Sequence, residues 1–78
     1  MNISKIKHIL DSGEVLSDQV NPIINTLEVH DLDKLSKCEK DNLRCIISNM
    51  LILIQDPSSG AHLDNPEKAE LLLSVIEC

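Results

Sequence analysis

No Phe, Tyr or Trp occurs in the 78 residues of this chain. Aromatic rings anchor most binding pockets and supply the platforms on which unpaired bases stack. Their absence weighs against a small-molecule enzyme and against a single-strand nucleic-acid binder. Glycine is scarce too, and with only Gly13 and Gly60 available no glycine-rich phosphate loop can be written. Positive charge is the third shortage. Seven Lys and Arg stand against 13 Asp and Glu, for a formal net charge of −6. Neutralising phosphates takes clustered cations, so direct binding of DNA, RNA or an anionic membrane surface is disfavoured. From His8 to Asp33 every formally charged residue is acidic.

Long apolar runs are limited to one. Leu43 to Ile54 is nearly unbroken, but Ser48 and Asn49 interrupt it and it falls far short of the ~20 residues that span a bilayer. No transmembrane segment is expected. The first seven residues lead into no apolar core of signal-peptide length, and the three cysteines Cys38, Cys45 and Cys78 form an odd set, so a reducing cytoplasm is the expected location.

What is present is aliphatic. Apolar residues make up 42% of the chain, nearly all of them Ile, Leu and Val, which is too rich for a disordered polypeptide. At this length a single domain over residues 1–78 is expected, near the size below which one core contributes only about 3–5 kcal/mol, so self-association is a natural supplement.

The apolar period is helical throughout. At 100° per residue, Ile3, Ile6, Ile9, Leu10, Leu16 and Val20 fall on one arc, with Asp11, Glu14 and Asp18 on the other side. A continuous helix or two collinear pieces explains that pattern, Gly13 either permitting close packing or breaking the segment. Asn21-Pro22 reads as a cap followed by Pro at the first helical position, opening a segment through Val29 with Ile23, Ile24 and Leu27 inward. Leu32 and Leu35 suggest one helical turn with Asp31 as its cap. Ser36-Lys-Cys-Glu39 matches the reciprocal capping pattern and predicts the longest helix, about 37–55, ended by Asp56-Pro-Ser-Ser-Gly60. Asp64-Asn-Pro-Glu67 predicts a last helix to about Ile76 with Ala69, Leu72, Leu73 and Ile76 inward. The expected fold is all-α, a small aliphatic bundle of three to four helices around a long central helix.

That central helix carries two apolar faces. Leu43, Ile46, Ile47, Met50, Leu53 and Ile54 form an arc wide enough for a bundle core. Cys38, Cys45 and Ile52 recur at seven-residue spacing on nearly the opposite side, flanked by Asn42 and Asn49. Either neighbours cover both faces, or the second row is lent to a partner chain.

Site chemistry is thin. Cys38 and Cys45 stand seven residues apart on a helix, too far for a direct disulfide or a shared tetrahedral metal, and His8, His30 and His62 show no zinc-ligand spacing. Asp31-Leu-Asp33 opens like a calcium loop, but Lys34 and Leu35 follow where an oxygen ligand and the turn glycine belong. No nucleophile motif is present, so neither catalysis nor a cofactor is expected. The expected function is a small acidic protein–protein interaction module, a regulator, adaptor or inhibitor that occupies a partner surface and works as a homodimer. Its candidate contact residues are Cys38, Cys45, Asn49 and Ile52 for association, and Asp11, Glu14 and Asp18 for docking a basic partner. Two alternatives stand beside it: an acidic inhibitor mimicking nucleic acid on a DNA- or RNA-handling enzyme, and a structural subunit of a larger assembly.

Overall fold

Three of the four α-helices begin where a side chain accepts from a free backbone N–H of the first turn. In the computed structural model, which describes residues 2–13 and 15–77, α1 (Ile3–Ser12) starts at Asn2, whose Oδ1 accepts from the Lys5 N–H at 2.9 Å. Helix α2 (Ser17–Thr26) starts with the Leu16 N–H donating to Gln19 Oε1 at 3.1 Å. The longest helix, α3 (Lys37–Leu53), shows the predicted reciprocal box: Ser36 N–H donates to Glu39 Oε1 at 2.7 Å and Glu39 N–H to Ser36 Oγ at 3.2 Å. Helix α4 (Pro66–Glu77) is capped by Asn65, whose Oδ1 accepts from the Lys68 N–H at 3.1 Å. Short 3-10 segments at Val29–Lys34 and Pro57–Ser59 complete an all-α architecture, and no strand occurs among the described residues.

The first expected helix is broken at Gly13. Its φ of +75° is the left-handed conformation that ends a helix, and its N–H closes α1 by donating to the Leu10 carbonyl at 3.3 Å. The break resets the helical phase, so Leu16, expected inward, is 63% exposed, whereas Val20 is buried. Gly13→Ala is expected to cost about 1 kcal/mol in chemical denaturation. A Cβ there meets no atom within 4 Å, so the cost is conformational and not steric.

Pro22 is the second departure. It lies inside α2 and not at its start, so the Asp18 carbonyl loses the N–H that a non-proline residue would supply. Asn21, read as a cap from sequence, faces another part of the chain: its amide donates to the His62 carbonyl at 2.9 Å and accepts from the Asp64 N–H at 2.9 Å. Lys68 Nζ adds bonds to the Asn25 carbonyl at 3.0 Å and to Glu28 at 3.2 Å. A cation at the carbonyl end of α2 is favoured by the helix dipole, and it ties α2 to α4. In the 3-10 segment Asp31 does not cap from the front; it sits at the third position and accepts the Glu28 N–H at 3.0 Å, which holds its carboxyl below the usual aspartate range.

The core runs through all four α-helices and the first 3-10 segment. Ile6, Ile9 and Leu10 from α1, Val20, Ile23 and Ile24 from α2, Leu43, Ile47 and Met50 from α3, and Ala69 and Leu72 from α4 are buried together with Leu27, Leu32, Leu35 and Leu63. Helix α3 packs against both α1 and α4, and its last turn tightens, with Gln55 N–H donating to the Ile52 carbonyl and Asp56 N–H to that of Leu53. Its helical geometry therefore stops two residues before Gln55. The radius of gyration, 11.6 Å, equals the ~11.5 Å expected of a compact chain of this length.

Candidate protein interaction surface

Helix α3 buries one side only. Glu39, Leu43, Ile47 and Met50 lie at four- and three-residue steps against the core, which turns Cys38, Cys45, Asn49 and Ile52 outward. All four are exposed, and Ile52 is 67% exposed. Of the two readings of the second apolar row, cover by the chain's own helices is therefore not what the fold provides. Both Cys38 and Cys45 are free thiols. Cys78 lies outside the described residues.

A groove runs beside this row. At one end Leu10, Gly13, Val15, Asn42, Cys45 and Ile46 enclose a depression of 210 Å³. Val15 and Ile46 also line a second depression of 200 Å³, together with Val20, Asn49, Met50 and Leu53. The two share Val15 and Ile46 and so adjoin along α3 as a trough. Asn42 fixes its edge by donating to the Leu10 carbonyl at 2.8 Å. That carbonyl belongs to the last turn of α1, where intrahelical partners run out, so the bond anchors α3 to α1. Leu53, expected in the core, is 43% exposed at the far end of the trough.

Leu53, Val15 and Ile46 thus line the surface without having been read as part of it. Gly13 was the signal that Leu16 turns outward, because a break there changes which way every later residue points. Leu53 gave no such signal; the apolar period of α3 continues past the point at which its neighbours stop covering it.

Charge is nearly missing from the surface. Between Cys45 and Gln55 there is no formally charged residue, in a chain where charged residues are 26% of the total. Solvent-facing helix surfaces are ordinarily charged or polar.

The acidic candidates are dispersed. Asp11 lies in the last turn of α1 and Asp18 in the first turn of α2, on separate helices, and Glu14 lies outside the described residues. Asp11 is also engaged. Its carboxyl hydrogen-bonds that of Glu39, which raises its pKa above the ordinary aspartate value. Glu39, 3% exposed, stays the ionised partner: the Ser36 N–H first, and then the Asp11 bond and Lys7, hold its pKa below the usual range against the opposing effect of burial. Lys7 Nζ stands 3.7 Å from Glu39 and donates to the Lys34 carbonyl at 2.9 Å.

Among the described residues no three His, Cys, Asp or Glu side chains gather as a metal site requires. His30 and His62 instead pair with Asp31 at 3.4 Å and Asp64 at 3.1 Å. No helix of the described residues is long and apolar enough to cross a membrane. No family model, curated protein or solved structure matches the chain.

Proposed function

We propose that this chain is a small acidic protein–protein interaction module, a regulator, adaptor or inhibitor, that associates through the outer face of α3 and works as a homodimer. The supporting observation is that the outer side of α3 combines an apolar trough, the exposed side chains Ile52 and Leu53, and no charged residue from Cys45 to Gln55. Apolar surface of this kind, contiguous and rimmed by Asn42 and Asn49, gains free energy when another molecule removes it from water.

Sedimentation equilibrium tests this reading. The wild type is expected to dimerise in reducing buffer. Ile52→Glu is expected to weaken the dimer about a hundredfold, because it desolvates a carboxylate in the contact. Its circular dichroism should be unchanged, since residue 52 touches little of the monomer's core. A wild type that stays monomeric at every accessible concentration overturns the homodimer.

Mimicry of a nucleic-acid backbone draws less support, because it needs a run of free carboxylates and Asp11 is committed to Glu39. Ionic strength separates the two: docking of Asp11, Glu14 and Asp18 on a basic partner weakens steeply with salt, and an aliphatic seam does not. A structural subunit of a larger assembly would use the same face of α3, and would show itself as a complex larger than a dimer.

A further inference from the structure

We propose that the exposed side of α4 docks a cationic amphipathic helix of another protein, which sets apolar side chains beside Leu71 and Val75 and Lys or Arg side chains on Glu67, Glu70 and Glu77. This goes beyond the homodimer proposed above and does not depend on it, since the depressions along α4 share no lining residue with the trough on α3.

Helix α4 buries Ala69 and Leu72, which turns Glu67, Leu71, Ser74 and Val75 to the opposite side. Leu71 is 52% exposed and Val75 36%. On one flank Glu67, Lys68 and Leu71 enclose a depression of 430 Å³ with Asn65, Glu28 and the exposed Val29. On the other flank Glu70, Leu73, Ser74 and Glu77 enclose one of 440 Å³ with Leu51 of α3. The exposed side of α4 is thus an apolar ridge set between two grooves, with carboxylates along both.

Charge selects the occupant. From Cys45 to Glu77 the charged side chains are Asp56, Asp64, Glu67, Glu70 and Glu77 against Lys68 alone. Lys68 is only 17% exposed and spends its ammonium inside the fold, on the Asn25 carbonyl at 3.0 Å and on Glu28 at 3.2 Å. On the 3-10 segment packed against α4, His30 and Lys34 both stand on Asp31, at 3.4 and 3.3 Å. Lys40 and Arg44 belong to the first half of α3 and line neither depression. Glu67, Glu70 and Glu77 therefore pair with no cation among the described residues. A second copy laid on this side by its own α4 would bring carboxylate against carboxylate, whereas a partner whose cations flank an apolar stripe answers both features. No strand occurs among the described residues, so there is no sheet edge for an extended segment to join, and a helix laid in a groove is the remaining mode. The row from Glu67 to Glu77 runs about 15 Å, which matches a partner helix of about three turns.

The test is a fluorescence titration with a helix-forming peptide of about 14 residues, Leu on one face and Lys on the other, carrying one Trp. The chain has neither Trp nor Tyr, so the signal comes from the peptide alone. Leu71→Ser is expected to weaken binding about tenfold by removing apolar contact. Glu67→Gln combined with Glu70→Gln is expected to weaken it about tenfold at low salt, a difference that vanishes at about 1 M. Leu16→Ser should bind as the wild type does, because Leu16 lies at the start of α2 and Glu28 and Val29 lie beyond its end. All of these side chains are exposed, so circular dichroism should not change. Absence of binding, wild-type affinity in Leu71→Ser, or equal affinity for oligolysine of the same charge overturns the docking face. Loss of wild-type self-association in Leu71→Ser, read by sedimentation, makes a second copy the occupant and overturns it too. A monomeric wild type that binds the peptide overturns only the homodimer, and a dimer that ignores the peptide overturns only the α4 site.

Discussion

Replacing Leu43 with Asp is expected to leave the chain unfolded at 25 °C, read as loss of the helical circular dichroism signal. Leu43 is 0% exposed and sits on α3 where α1 and α4 both pack. An unpaired carboxylate there loses the transfer free energy of the leucine and gains the cost of burying a charge with no donor in reach. The sum exceeds about 5 kcal/mol, and a chain of this size has only about 4–12 kcal/mol to lose. Met50→Asp should fall close behind. Met50, 6% exposed, borders the trough beside Asn49 and Leu53, so water can reach part of an introduced carboxylate and soften the effect. If Leu43→Asp melts like the wild type, the arc of α3 assigned to the core is wrong.

The two carboxylates at the α1–α3 contact are expected to respond to mutation in opposite directions. Glu39→Ala removes the reciprocal half of the α3 cap and leaves Lys7 without its carboxylate, a cost of about 2 kcal/mol. Asp11→Asn should instead raise the melting temperature at neutral pH. The asparagine amide donates permanently to Glu39, whereas an ionised Asp11 repels it.

The signs follow from the direction of each shift. Asp11 has its folded pKa raised, so its stabilising contribution is fully present below the unfolded pKa and is lost as pH rises through the folded one. Glu39 has its folded pKa lowered, so its contribution is present above the unfolded pKa and is lost as pH falls through the folded one. Stability should peak in the acidic window between the two, where a single proton joins the pair. Lys7 and His8 face the same site and partly offset the second negative charge when Asp11 ionises. Urea midpoints measured from about pH 3 to about pH 8 check this, and Asp11→Asn should flatten the decline on the neutral side. A destabilised Asp11→Asn at neutral pH would remove the shared-proton account.

The outer face of α3 is what the fold leaves uncovered. Among the described residues α1 and α4 occupy two flanks of α3, α2 is tied to α4 through Lys68 and to the segment before it through Asn21 and Asn25, and no element packs over the outer face. The thiols and Ile52 face solvent for that reason, not because their residue types favour exposure.

Local chemistry was legible in the sequence wherever it was decided within a few residues. Ser36 and Glu39 close on each other across three positions, Pro66 follows its Asn65 cap, and the four-residue apolar steps of α3 and α4 need no distant information, so the all-α class, both helix starts and the central face at Leu43, Ile47 and Met50 follow from the chain alone. Three matters required the tertiary structure. Gly13 could continue or end a helix until its left-handed φ was known, and Leu16 turned outward with it. Asn21 could cap its own helix or bond a segment more than forty residues away, and the loop at His62 and Asp64 outcompeted the local site. The third is whether the second apolar row of α3 is covered. Periodicity places residues on a face, but only the packing of α1 and α4 shows what is shielded from water, and it leaves Cys38, Cys45 and Ile52 outside.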